Sequence, residues 1–217
     1  YMADIIRHLP QMRGYDVVQV TNPVFFDLRP EKNWAIFKYL KKHNKKIFLD
    51  ALAIDHYYVK ACLDGKTFRY SDFFVGDRPL PHPEREKMLA AWIGGRNERP
   101  NIEMAQEANG IIACLYEYYA AYQPEYADKL AYIPIPIDLS INPFHPIKST
   151  PEVVKFFIGI QQHRTAIKGT DILLDVLREI HDKYPRESHI QKVVSVPFDE
   201  YNKLLVDCHI LLDQLYS

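Results

Sequence analysis

Short apolar runs rich in β-branched residues alternate with longer stretches of helical periodicity along this chain. That alternation restricts it to α/β folds built on parallel strands, because a parallel strand needs a crossover segment before the next one. YDVVQV (residues 15–20) reads as a strand broken by Asn22 and Pro23. Residues 31–43 place Trp34, Ile36, Phe37, Tyr39 and Leu40 near helical spacing and end on lysines, which suit a helix C-terminus. KIFLDAL (46–52) is the next strand; residues 55–100 are less regular and read as a long insertion of the lid or binding-loop kind. Residues 101–108 predict a short helix, 110–115 a buried strand, 117–126 a helix interrupted at Pro124, and 129–137 a strand closed by prolines. After a proline-rich stretch the rhythm restarts: strand 153–160, amphipathic helix 170–183, strand 191–196, helix 198–207 with Tyr201, Leu204 and Leu205 inward, and strand 209–215. The expected organisation is a first Rossmann-like domain over 1–140, a linker over 141–152 and a partial second domain over 153–217. The opening residue is Tyr1 and the last element is a strand, so segments are expected to precede and follow this sequence.

Composition narrows the function. Apolar residues at 47% and charged residues at 25% are those of a globular protein, not a disordered one. A net charge of −1 argues against a nucleic-acid binder that works by neutralising many phosphates, while leaving room for a small local cationic site. Three scattered cysteines, Cys62, Cys114 and Cys208, suit a reducing compartment. No segment resembles a signal peptide and no apolar run approaches the ~20 residues of a membrane span, so the cytoplasm is expected. Tyrosine clusters around Tyr57 and Tyr118 are either half-buried surface residues or the lining of a sugar or peptide groove.

The corner FFIGIQQHRTAIKGTDILLDVLREI (156–180) concentrates the chemistry. An apolar strand meets a glycine, a polar loop carries Arg164 and Lys168, and a helix follows. Gly159 is expected to turn the backbone at the strand end, Gly169 to allow close approach, Thr170 to cap the helix and Asp171 to sit in its first turn. In a parallel sheet ligands gather at the carboxyl ends of strands, and a helix N-terminus with nearby cations attracts phosphate. The order Lys168-Gly169-Thr170 is not that of a P-loop, and the G-x-G-x-x-G fingerprint is absent. The residues themselves leave two readings open: an anion site or a solvated loop. His82 and Glu84 lack a second cluster at zinc-like spacing, so no metal site is expected. The basic run 41–46 is a solvated helix end or a contact for anionic lipid.

FFIGIQQHRTAIKGTDILLDVLREIHDKYP resembles the start of the second domain of GT-B glycosyltransferases of the family-4 type, with its glycine-ended strand, basic loop, Lys-Gly and apolar helix. VPFDEYNKLLVDCHILLDQLYS is similar to the family's later helix and the strand that leads to a serine at the phosphate site. ANGIIACLYEYYAAYQPEYADKLAYIPIPIDLSINPFHP resembles the segment that closes the first domain and enters the linker, and YDVVQVTNP resembles an earlier strand. The segments occur in the family's order. The resemblance implies two Rossmann-like domains with parallel sheets, the second incomplete, and retaining, metal-independent transfer of a sugar from a nucleotide-sugar to a glycan or lipid-linked glycan. The nucleotide-sugar is a substrate, so no cofactor is implied.

The same resemblance implies residue roles. Lys168 and Arg164, with Gly169, match the cations and turn that hold the donor diphosphate, while Tyr216 and Ser217 fall at the distal phosphate and sugar. Pro197 and Phe198 fall beside the nucleobase. Asp55 and His56 stand near the family's catalytic His-Asp, in reversed order and a few positions later. The family's glycine-rich loop after its first strand has no match, and its Glu-x7-Glu element falls past Ser217. Two rivals stay open: a nucleotide-sugar epimerase on the same architecture, and a non-catalytic sugar-nucleotide or glycan-binding module. Peripheral contact with the inner face of a membrane is the further expectation for a lipid-linked acceptor.

Overall fold

The computed structural model describes residues 1–71, 73–79, 85–140, 146, 149–162, 165–206 and 208–215. The chain divides into two compact units, Tyr1–Arg69 with Pro83–Pro136 and Tyr70–His82 with Ile137–Ser217. Both are α/β with parallel, Rossmann-like sheets.

The first unit opens with helix α1 (Met2–His8), one 3-10 turn (Leu9–Met12) and strand β1 (Val17–Val20). It continues with α2 (Pro30–His43), β2 (Lys46–Ala51), α3 (His56–Leu63), α4 (Arg85–Trp92), α5 (Glu98–Glu107), β5 (Gly110–Ala113), α6 (Tyr116–Tyr126) and β6 (Leu130–Tyr132). A hairpin of β3 (Phe74–Val75) and β4 (Arg78–Pro79), turning at Gly76 with φ +57°, belongs to the second unit.

Strand order in the first unit is β1-β2-β5-β6, all parallel. Strands added always on the same side, with right-handed crossovers, place every crossover helix on one face. The core obeys this. Val20, Ile47, Leu49, Ala51, Ile111 and Ala113 alternate onto one face and pack with Phe37 and Leu40 of α2, Tyr57 of α3, Met104 of α5 and Tyr122 of α6. On the opposite face Gln19 donates from Nε2 to both carboxylate oxygens of Asp50, at 2.9 and 2.8 Å.

Helix α2 forms because Pro30 at its first position presets φ and Glu31 and the terminal Lys41, Lys42 and His43 suit the helix dipole. It stops at Asn44, whose side chain donates to the Leu40 carbonyl (2.8 Å) and the Met12 carbonyl (3.0 Å) and accepts from the Tyr15 amide (2.9 Å).

The second unit holds β7 (Val154–Ile160), α7 (Thr165–Lys168), α8 (Thr170–Lys183), β8 (Ser188–Val194), α9 (Phe198–Leu205) and β9 (Ile210–Leu212), in parallel order β8-β7-β9. Phe157, Ile158, Leu177 and Val193 are buried there.

Several elements differ from expectation. The last strand of the first unit ends at Tyr132, because Pro134 and Pro136 have no amide to donate and Ile133, Ile135 and Ile137 are exposed. Helix α6 runs through Pro124 without interruption, anchored by buried Ala121, Tyr122 and Tyr126. Among its described residues the 55–100 stretch is helical in three places, and residues 2–8, for which no element was expected, form α1. Strand β8 begins at Ser188 because all seven residues of β7 find partners from there on. The corner after β7 is not only loop: it contains the single turn α7. Gly159 does not end its strand but lies inside it, paired with Val193. Gly169, at φ +63°, is the residue before α8, and Thr170 is the buried first residue of that helix, not its cap.

Candidate functional site

In a parallel sheet the carboxyl ends of adjacent strands open onto the loops that follow them. In the second unit that edge holds a cavity of about 480 Å³, lined by Gly159, Gln161, Lys168, Ser195, Tyr201 and Asp213 among others. The residues come from four places: the end of β7, the end of α7, the turn after β8 with the adjoining α9, and the end of β9.

Lys168 closes α7 and reaches the cavity with its side chain 20% exposed. Its Nζ lies 3.7 Å from Oδ1 of Asp213, a carboxylate 69% exposed. The backbone ties the two segments together, since the Leu215 amide, two residues past Asp213, donates to the Lys168 carbonyl at 2.8 Å. One residue after Lys168, Gly169 takes the left-handed conformation that lets the chain reverse into α8.

Ser195 also lines the cavity, with φ +48°, uncommon for a residue with a Cβ and often found at functional turns. Its amide donates to the Ile160 carbonyl at 3.3 Å, tying the ends of β7 and β8 together.

Tyr201 explains Gly159. A Cβ at Gly159 would lie 2.9 Å from Cε2 and 3.0 Å from the hydroxyl of Tyr201, so only glycine lets the ring settle there. The ring also meets Phe157 edge-on with centroids 5.1 Å apart. Burial, then the negative charge of Asp213, raise the Tyr201 phenol above its ordinary range and keep it a hydrogen-bond donor.

Of the residues expected at this site, Lys168 lines the cavity and Gly169 forms the turn beside it. Pro197 precedes α9 and follows Val196, which lines the cavity, while Phe198 is 75% exposed. Arg164, Tyr216 and Ser217 lie outside the described residues, as do His82 and Glu84. Asp213, Ser195 and Gln161 were not anticipated. A polar residue directly after the apolar run Ile210–Leu212 was the available signal for Asp213.

Asp55 and His56 lie in the first unit and are both buried. Asp55 caps α3: its Oδ1 accepts from the Tyr58 amide (2.9 Å) and its Oδ2 from the Tyr122 hydroxyl (2.6 Å). His56 Nδ1 is 2.9 Å from the Trp92 carbonyl, so Nδ1 carries the hydrogen, and the His56 amide donates to Asn101 Oδ1 at 2.8 Å. Glu98 Oε1 stands 3.8 Å from the same ring nitrogen. Nearby, the Tyr57 and Tyr126 hydroxyls bond at 2.5 Å. The pair thus joins α3 to the elements around it.

In the basic run, Lys41 pairs with Glu107, and Lys45 with Asp16 at 2.5 Å. Among the described residues no group of three or more His, Cys, Asp or Glu is arranged to hold a metal ion, and no helix is long and apolar enough to cross a membrane. No protein-family model matches the chain, and no curated protein matches it.

Proposed function

We propose that this chain is a glycosyltransferase of the GT-B kind, which moves a sugar from a nucleotide-sugar donor to a glycan or lipid-linked glycan acceptor with retention of configuration. The observation that carries the proposal is the Lys168 cavity at the carboxyl ends of β7 and β8, beside the start of α8. Departure of the donor sugar leaves negative charge on a nucleoside diphosphate. A lysine only one-fifth exposed, set at a helix start, stabilises that charge without reorganising as it develops. The cavity volume suits a ligand of nucleotide size. Arg164, Ser217, Pro197 and Phe198 keep the roles that the resemblance implies for phosphate and base, and the first unit would receive the acceptor.

Calorimetric titration with uridine, guanosine and adenosine diphosphates tests the binding half. One of them is expected to bind, and Lys168→Ala should weaken it tenfold or more, about 1.4 kcal/mol. Absence of heat with all three, or equal affinity in the variant, would overturn the site.

A second reading has one observation in its favour. Asp55 and His56, the expected catalytic pair, are buried, with both Asp55 carboxylate oxygens and the His56 Nδ1 engaged inside the first unit. A sugar-nucleotide-binding module without turnover fits that enclosure. Incubation with radiolabelled nucleotide-sugar and glycan acceptors separates the readings. Label on the acceptor supports the transferase, a free epimer supports an epimerase, and tight binding with neither supports the module.

A further inference from the structure

A carboxylate is out of place in a site that takes only anions. Asp213 nevertheless shares the cavity with Lys168, its Oδ1 3.7 Å from the ammonium. Its position is built rather than incidental. It follows β9 directly, and two residues later the Leu215 amide is bonded to the Lys168 carbonyl at 2.8 Å. Whatever sits against Lys168 therefore meets Asp213 as well.

An ionised carboxylate only accepts hydrogen bonds, and its two oxygens can receive two neighbouring hydroxyl hydrogens. A bare phosphate or pyrophosphate offers no such donors and is repelled by the charge. A phosphate ester carrying a vicinal diol satisfies both groups: its phosphate meets Lys168 and its hydroxyls meet Asp213. We propose that Asp213 is a specificity residue that selects, from the anions Lys168 attracts, those bearing adjacent hydroxyl groups. The inference rests on the nucleotide-sugar reading of the cavity.

The remaining wall agrees. Tyr201 keeps its proton beside Asp213, so it adds a donor for phosphate without adding negative charge. A site that hydrogen-bonds a hydroxyl rejects the analogue lacking it far more strongly than an apolar pocket rejects a missing methylene. The diol can belong to the nucleotide's ribose or to the donor sugar, and the two sources are experimentally separable.

The test is calorimetry on the 217-residue chain and on Asp213→Asn and Asp213→Ala, changes at an exposed side chain. The probes are uridine diphosphate, its 2′,3′-dideoxy analogue, uridine diphosphate glucose and inorganic pyrophosphate, with the base exchanged for another if the first titrations select it. In the wild type, loss of the ribose diol, or of the sugar where the sugar supplies the diol, is expected to cost at least tenfold in affinity. In both variants that preference should vanish while pyrophosphate binding holds or tightens. The proposal is overturned if the preference survives in the variants, if the wild type has none, or if nucleotide and pyrophosphate weaken in equal proportion, as they would were Asp213 only steadying Lys168. Failure of the wild type to bind any nucleotide would overturn the nucleotide-sugar reading and this inference with it.

Discussion

Asp55 carries a carboxyl that burial raises to about 6, against 3.8 for the ordinary group, although bonds from Tyr122 and the Tyr58 amide pull it back down. The native state thus holds this proton more tightly than the unfolded chain does. Its stabilising contribution is complete below pH 3.8 and is lost as pH rises through about 6. The full swing is about 3 kcal/mol. Asp55→Asn keeps a capping oxygen for the Tyr58 amide and has no charge to bury. Urea unfolding at pH 5 and pH 8 should show wild-type stability falling relative to the variant; parallel pH profiles would contradict the assignment. Asn33 is a second residue with a role no neighbour can assume. It is fully buried on α2, accepts from the Phe26 amide and donates to the Phe26 and Leu28 carbonyls. Asn33→Ala takes a partner from the Phe26 amide and the Leu28 carbonyl, while the Phe26 carbonyl keeps the Leu28 amide at 2.7 Å, at a cost of about 1–3 kcal/mol in the unfolding free energy.

Among the helices, α6 holds a proline at its ninth position yet runs on to Tyr126. Pro124→Ala restores a backbone donor and removes a ring clash, so it should stabilise the protein by about 1–3 kcal/mol, net of the freedom it returns to the unfolded chain. No rise in the urea midpoint would show that the helix has already adapted to the ring. In the second unit, Gly159→Ala should displace Tyr201 from the cavity wall and weaken nucleoside diphosphate binding severalfold, with the β7–β8 pairing intact by circular dichroism. Elements with a strong internal signal were legible from sequence: α2 has Pro30, an apolar stripe and a basic end, and the span expected for the helix after Gly169 is that observed for α8. Helix α4 was not, because it buries only Met88 and Trp92 and shows no stripe. The site divides in the same way. Lys168 could be read from its own loop. Asp213 and Tyr201 could not be joined to it, because they reach the cavity only through the order β8-β7-β9, which sets β9 beside β7. Strand order follows from packing among distant segments, and no local pattern records it.

At the scale of the molecule the two units differ in what they enclose. Among the described residues, the first has a continuous apolar cluster running from Ile5 to Tyr126, whereas in the second the buried apolar residues of the β7–β9 sheet and its helices are Phe157, Ile158, Leu177 and Val193. Local opening is governed by such differences in burial. Amide hydrogen exchange should therefore be faster in β7–β9 than in β2 and β5. A nucleoside diphosphate at a hundred times its dissociation constant should slow exchange in β7 and α8 by up to about a hundredfold and leave β2 and β5 unchanged. Uniform protection across both sheets would place the ligand elsewhere. The pairing of β2 with β5 sets the timing of assembly as well. Phe48 must find Gly110 about 60 positions away, whereas Ile111 finds Leu130 about 20 positions on, and loop-closure entropy makes the nearer pairing easier by roughly 1 kcal/mol. On that ground alone the β5–β6 edge is expected to form more readily than the centre of the sheet. A chain emerging from the ribosome would keep the apolar run Ile47–Leu49 unpaired with β5 until Gly110 has cleared the exit, the interval in which a holding chaperone would have most to bind.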